Sequence, residues 1–277
     1  MGAIITLLTD FGLADGYVAA MKGVILGINP QVQMIDICHS IQPQNVSQAA
    51  FVLGTVYRYF PPKTIHLMVV DPGVGSSRKL VILRTPQGDF VAPDNGVLAY
   101  VLQPFLHQPP PSGGRILLKG TLRPESDIQA VQITNPRFYR HPVSPTFNGR
   151  DILAPVAAAL SLGFSLGGFG PAQDSLEILP ISLPVRHGSS LVGHIIHSDG
   201  FGNLITDIRE NDLPDKPAAI IIADQKISGL SSTYAEGHGL LALVGSSGYL
   251  EIALKGGSAQ ALLGAKLGDE VRISRRP

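Results

Sequence analysis

The chain is poor in cysteine, in net charge and in unbroken apolar length, and each shortage removes a class of function. A single cysteine, Cys38, among 277 residues excludes an intrachain disulfide framework and fits a reducing cytoplasm. It lies in an apolar run and reads as plain core. No Cys/His spacing resembles a zinc site. Lysine plus arginine and aspartate plus glutamate both number 21, so no net field draws the chain to nucleic acid or to an anionic membrane. The easier partner is a neutral or zwitterionic small molecule. The N-terminal apolar run has no basic leader and is cut short by Asp10, which argues against a signal peptide. Gly2 and Thr6 match a myristoylation pattern, but the same residues form the first core strand. Residues 152–170 are uncharged over a membrane-like length, yet Pro155, serines and four glycines divide them into a buried helix and a loop, so no membrane span is expected.

What the first half does have is alternation. Residues 3–8 form a continuous apolar strand, and Val18, Met21, Ile25 and Ile28 then recur at helical spacing until Pro30 stops the helix. A second strand covers 32–37. Asn45 is placed to cap a helix with Val46, Ala49, Leu53, Val56 and Phe60 on one face, ended by Pro61 and Pro62, and a third strand covers 64–70. Strand, helix, strand, helix, strand implies a mostly parallel sheet with right-handed crossovers, which sets Asp10, His39 and Asp71 along one rim. Strands at 80–84 and 90–92 lead to the turn PDNG at 93–96, residues 108–114 (QPPPSGG) read as a flexible loop, and 151–162 as an alanine-rich helix. Beyond about residue 180 the texture changes to short strands with frequent glycines. The chain thus divides into an α/β domain over 1–180 and a smaller all-β, barrel-like domain over 181–277, with no internal repeat.

Four polar constellations sit in turns between apolar elements. The richest is TIHLMVVDPGVGSSR at 64–78, where a buried-type strand delivers Asp71 to a Pro-Gly turn and Arg78 follows seven residues later. Ligands of open α/β sheets bind outside the carboxyl ends of strands, although a strand-terminal Asp also simply caps turns. The others are TDFG at 9–12, SPTFNGRD at 144–151, and HSDGFGNLITDI at 197–208 with GSSGYLEI at 245–252. Asp10 ends the first strand, where a carboxylate can accept two hydrogen bonds from a ribose diol, although the glycine fingerprint of dinucleotide folds is absent.

Together these segments resemble the S-adenosylmethionine hydroxide adenosyltransferases, the hydrolase relatives of the fluorinase and chlorinase, through TDFG, VVDPGVGSSR, APDNG, TFNGRD, DGFGN and GSSGYLEI in the family's order. The resemblance implies an α/β N-terminal domain, a C-terminal β-barrel, and a homotrimer with active sites between one subunit's N-terminal domain and a neighbour's C-terminal domain. It also implies S-adenosyl-L-methionine as substrate, with no cofactor and no metal. Displacement at the ribose 5′ carbon expels a neutral thioether, so no general acid is needed; a positioned carboxylate and a stabiliser of hydroxide are. Asp71 and Arg78 supply those roles. An adjacent arginine lowers an aspartate pKa, so Arg78 is expected to hold incipient hydroxide rather than to activate Asp71. The family's third catalytic residue is a histidine in TFHGRD, and here that position is Asn148, which can orient water but cannot exchange a proton near neutral pH. His141, seven residues upstream, is a substitute in principle and a surface histidine on the simpler reading.

The same resemblance assigns Asp10 to the ribose hydroxyls, Asp199 to the methionine ammonium, Phe201 and Asn203 to the adenine end, and Ser246 to the methionine carboxylate, with Tyr249 and Glu251 completing the substrate-binding set. Ser247 stands where the fluorinase has an arginine. Asp199 and Asn203 are equally at home in a hairpin turn, and Tyr249 in a core. Three alternatives remain. In a halogenase a tyrosine takes the place of Asp71 and a threonine or serine that of Val74, and a carboxylate there repels halide. A binding protein that has lost turnover fits Asn148. A metal-dependent hydrolase on Asp10, Asp15 and Asp94 ranks last, because their spacing specifies no metal.

Overall fold

The computed structural model describes residues 2–106, 118–123, 127–188, 190–214 and 217–275; the proline- and glycine-rich stretch at 108–114 lies outside them. The chain forms two compact units, Met1–Ile181 and Ser182–Pro277.

In the first unit β1 (Ile4–Thr9) leads through α1 (Tyr17–Ile28) to β2 (Gln33–Cys38), and α2 (Val46–Val56) leads to β3 (Thr64–Val69). The side chain of Asn45 caps α2, accepting from the Gln48 N–H at 2.9 Å. A hairpin follows, β4 (Leu80–Thr85) and β5 (Gly88–Pro93), then a short helix α3 (Ala99–Leu102) and the strands β6 (Leu118–Thr121) and β7 (Gln129–Gln132). The expected helix over 151–162 opens as a π-helical turn, Gly149–Leu153, and continues as α4 (Ala154–Ser161), before β8 (Ala172–Gln173) and β9 (Ser175–Ile178). The main sheet has the order β2-β1-β3-β5-β4-β7-β8. It is parallel from β2 to β5 and antiparallel from β5 through β4 and β7 to β8. The β4–β5 pair turns back through two residues and needs no crossover, so the parallel character seen in the sequence belongs to the first half of the sheet.

β3 is buried at every position, as a strand covered on both faces must be. Its alternate residues serve two cores. Ile65, Leu67 and Val69 pack with Met21, Ile25 and the alanines of α4, whereas Met68 and Val70 pack with Leu53, Tyr57 and Phe90. Because β1, β2 and β3 are parallel, their carboxyl ends share one edge, and the Gly12 N–H donates to the His39 carbonyl there at 2.7 Å.

The second unit is an antiparallel sheet built from β10 (Val185–His187), β11 (Ser190–Ser198), β12 (Leu204–Arg209), β13 (Pro217–Ile222), β14 (Gln225–Ile227), β15 (Leu240–Val244), β16 (Tyr249–Leu254) and β17 (Glu270–Arg275), with a short helix α5 (Ala259–Leu263) before β17. The order β14-β13-β17-β11-β12-β16-β15 curls until its edge strands β14 and β15 meet, a nearly closed barrel, while β10 pairs with β11. Register shifts in β11 and β12 give the bends that closure requires. Leu191, Ile195, Leu204, Ile220, Leu250 and Ile273 fill its interior.

Candidate active site

Two residues past the Val69 end of β3 the chain reaches Asp71. One carboxylate oxygen accepts from the Gly73 N–H at 3.1 Å and lies 2.8 Å from Arg78 Nε. Gly73 permits this pairing: a Cβ there would collide with the Arg78 guanidinium. The turn is stiffened by Val74 N–H donating to the Asp71 carbonyl at 3.2 Å and by Ser76 Oγ donating to the Gly73 carbonyl at 2.6 Å. Burial pushes the Asp71 carboxyl above its ordinary value, outweighing the pull of Arg78 and of the Gly73 N–H, and the Asp10 charge pushes the same way. Arg78 does pull the carboxyl down, as expected, but the side chain is only 8% exposed and its burial outweighs that pull.

Asp10 follows β1 and accepts from the Gln44 N–H at 2.8 Å. Gln44 adopts a left-handed conformation, φ 65°, immediately before the α2 cap. His39, the third residue of the expected rim, turns inward. It is buried, with Nδ1 2.9 Å from Thr9 Oγ1 and Nε2 3.0 Å from Asp36, and it braces the rim without lining the cleft.

Asn148 arrives on a turn anchored by Asp151, whose fully buried carboxylate takes two 2.7 Å bonds from Arg150, one of 3.2 Å from Arg140 and one of 2.9 Å from the Ser144 N–H. Arg150 holds the Asp151 carboxyl below its ordinary value. Two glycines bring this turn against the Asp71 loop. A Cβ on Gly149 would lie 2.8 Å from Val69 Cγ1, and Gly75, at φ 81°, approaches the Pro145 carbonyl so closely that a Cβ would lie 2.9 Å from it.

These segments enclose a cleft of about 320 Å³ lined by Asp10, Asp71 and Asn148, together with Phe11, Tyr17, Gln44, Val74 and Phe147. The structure thus brings three of the residues named from sequence into one wall. Arg78 stands outside the lining and pairs with Asp71. The aromatic wall was missed: Phe11, Tyr17 and Phe147 contact one another with ring centroids 5.3 to 5.6 Å apart, and Arg150 lies 4.9 Å over Phe147. The signal was present, since Phe11 and Phe147 sit inside the TDFG and TFNGRD turns. His141 is exposed, with a ring nitrogen 3.1 Å from the Pro136 carbonyl, and does not line the cleft. Asp94 accepts from the Glu177 N–H at 2.8 Å, and among the described residues no three His, Cys, Asp or Glu side chains converge as a metal-holding group.

In the barrel unit Asp199 and Asn203 close the β11–β12 turn. One Asp199 oxygen accepts from the N–H groups of Phe201 and Asn203, each at 2.9 Å, and the other from Asn203 Nδ2 at 3.0 Å. Phe201, at the tip, is 82% exposed. Glu251 on β16 is buried against Gly245 and held by Tyr234, whose hydroxyl donates to it at 2.5 Å. Burial raises the Glu251 carboxyl above its ordinary value, and the Asp199 charge adds to this. Sequence reasoning missed Tyr234, which sits outside every recognisable motif. Ser246 is exposed in the β15–β16 turn, and Tyr249 is buried with the Arg209 guanidinium 5.1 Å over its ring.

Comparison with known proteins adds identity to this geometry. Residues 5–170 match the family model of the SAM hydroxide adenosyltransferase N-terminal domain, and residues 193–272 that of its C-terminal domain. An (R)-S-adenosyl-L-methionine hydrolase of Salinispora tropica is 36% identical over 274 residues, covering 98% of this chain and 97% of that protein. One from Methanocaldococcus jannaschii is 33% identical over 285 residues, covering 98% and 95%. A fluorinase of Nocardia brasiliensis is 27% identical, covering 98% and 96%. Among solved structures, an uncharacterized conserved protein from Thermotoga maritima superposes with a TM-score of 0.83 at 35% identity, covering 98% of this chain and 100% of that one.

Proposed function

The chain belongs to the SAM hydroxide adenosyltransferase family, and from that premise we propose that it hydrolyses S-adenosyl-L-methionine to adenosine and L-methionine. Water attacks the ribose 5′ carbon in line with the carbon–sulfur bond. A C5′–O bond forms, the C5′–S bond breaks, sulfur keeps the electron pair as a neutral thioether, and the proton released from water passes to Asp71 and then to solvent. The observation that carries this reading is Asp71: a buried carboxylate, paired with Arg78, on the wall of a cleft that also holds Asp10 and Asn148. Burial raises its pKa, which makes it a stronger base than a surface aspartate. Arg78 orients that carboxylate, Asn148 orients the water, and Asp10 accepts from the ribose hydroxyls. The aromatic wall of Phe11, Tyr17 and Phe147 suits a sulfonium cation. Asp199, Phe201, Asn203, Ser246, Tyr249 and Glu251 are assigned to the methionine and adenine ends.

The names of the relatives specify the R configuration at sulfur, and we assign that epimer to this chain as its preferred substrate. A departing neutral thioether needs no Lewis acid, so the reaction is assigned no metal or cofactor. The working form is a homotrimer in the cytoplasm, each cleft completed by a neighbouring subunit. The test is incubation of the purified protein with each sulfur epimer in ¹⁸O-labelled water, with and without chelator. Adenosine carrying one ¹⁸O supports the reading. Label in methionine, or turnover abolished by chelator and restored by a divalent ion, would overturn it. A halogenated nucleoside formed in chloride or fluoride would move the chain to the halogenases, and light scattering at other than three chain masses would remove the trimer.

A further inference from the structure

The turn PDNG at 93–96 has a position that the proposed reaction leaves unexplained. The Asp71–Arg78 loop is useful only if its two ends stay at a fixed separation, because its first and last side chains must meet at 2.8 Å. Both ends are tied to this one turn. The residue before the loop, Val70, has its carbonyl bonded by Asn95 Nδ2 at 2.8 Å, and the residue after it, Lys79, has its carbonyl bonded by the Asp94 N–H at 2.8 Å. The second tie continues the β4–β5 ladder and is backbone only. The first depends on one side chain.

Asn95 is built for that task. It is 2% exposed, its Oδ1 accepts from the Val97 N–H at 3.2 Å, and its own N–H donates to the Pro93 carbonyl at 3.0 Å, so the amide is fixed at both ends. The turn is in turn fastened to β9, where the Glu177 N–H donates to Asp94 at 2.8 Å. An amide donates to a carbonyl and accepts from an N–H without carrying charge into the core.

We propose that Asn95 is a positioning residue: by locking the Val70 carbonyl onto the turn that already holds Lys79, it sets the geometry in which Asp71 meets Arg78 and faces the cleft. The proposal rests on the hydrolase reading for its effect on rate, but the loop itself can be observed without it. In unliganded Asn95→Ala and in the milder Asn95→Ser, whose hydroxyl is too short to reach Val70, amide exchange at Val74 and Ser76 should quicken by about tenfold or more, measured by NMR. Turnover per folded molecule should fall by about tenfold to a hundredfold with KM held within about twofold, the signature of a misplaced reacting group. The comparator is Asn29→Ala, which removes another buried asparagine of the same unit, bonded to Ser161 at 2.8 Å and to the Gln31 N–H at 3.1 Å. Equal losses of turnover in the two alanine variants would reduce Asn95 to a structural residue and overturn the proposal, as would unchanged exchange at Val74 and Ser76, or faster exchange with unchanged kcat. Absent turnover in the wild type defeats the hydrolase reading alone, and the exchange data then decide whether Asn95 anchors the loop.

Discussion

Asp71 and Asp199 both follow a strand, both open a glycine-containing turn, and differ in what their carboxylates are committed to. Asp199 has both oxygens engaged by its own turn, with three hydrogen bonds from Phe201 and Asn203. Among the described residues, Asp71 accepts one backbone N–H and faces a single cation. Burial pushes the Asp71 carboxyl above its ordinary value. The lesson is that a strand-terminal Asp-Gly or Asp-Pro-Gly signal does not separate a carboxylate that builds a turn from one that is held available above it. Pro72 makes part of the difference: having no N–H, it cannot draw on the carboxylate as a second turn donor would.

The largest expected effect breaks this comparison at Asp71. Asp71→Asn should lower turnover by about a hundredfold to ten-thousandfold with ligand affinity nearly unchanged, because general-base assistance acts in the transition state. The same variant should be more heat-stable at neutral pH. The folded pKa of Asp71 is raised, so the native state holds the proton more tightly than the unfolded chain does, and ionisation at pH 7 costs stability; the gain should vanish below the ordinary aspartate value, around 3.9. Thermal melts at pH 7 and pH 3.5 check the sign. Asp199→Ala should act differently, raising KM by about tenfold with kcat within about threefold, since on the proposed reading it loosens a turn that contacts substrate in ground and transition state alike. A kcat loss in Asp199→Ala as steep as in Asp71→Asn would erase the distinction. The pH–rate profile sharpens it further. The acidic limb should lie above the ordinary aspartate value, and Arg78→Met, which removes the one cation holding Asp71 down, should move that limb to higher pH. A limb that moves down would show that Arg78 does not act through Asp71.

The contrast also marks how far sequence carried. β1, β2 and β3, the Asn45 cap and the shared rim were legible because each rests on local pattern plus one chirality rule. The antiparallel half of the sheet was not, since the strands at 80–84 and 90–92 show length and β-branching but no sign of direction. The nearness of Asp10 and Asp71 could be argued from parallel strand ends, whereas Asn148 was tied to them only by the family resemblance. The turn at 144–151 gave no hint, however, that its approach depends on Gly149 against Val69 and on a buried Asp151 between two arginines. Burial is a property of everything packed around a group, so the direction of the Asp71 shift was out of reach of the Asp71/Arg78 pair alone. Arg78 standing outside the lining, and Tyr234 on Glu251, were invisible for the same reason.

The smallest expected effect concerns Asn148, where the chain departs from the family's histidine. Its side chain makes no capping hydrogen bond for the π-turn it precedes, and it lines the cleft with Asp71. If the family's histidine serves to orient water, an amide at that place does the same through one donor and one acceptor, and Asn148→His should raise turnover by only about threefold or less with the pH optimum unmoved. If it serves in proton transfer, the substitution should raise turnover by about a hundredfold and add a titration near 6.5. The orienting role is the expected one, because on the proposed reading Asp71, whose pKa burial has pushed up, supplies the base, and a second base beside it is redundant. A pH–rate profile of wild type and Asn148→His between about pH 5 and 8 decides the matter. A new limb with a large gain would mean that the carboxylate, however well placed, does not take the proton by itself. No gain over a wild type that turns over at background would turn the cleft into a binding site for S-adenosylmethionine or adenosine.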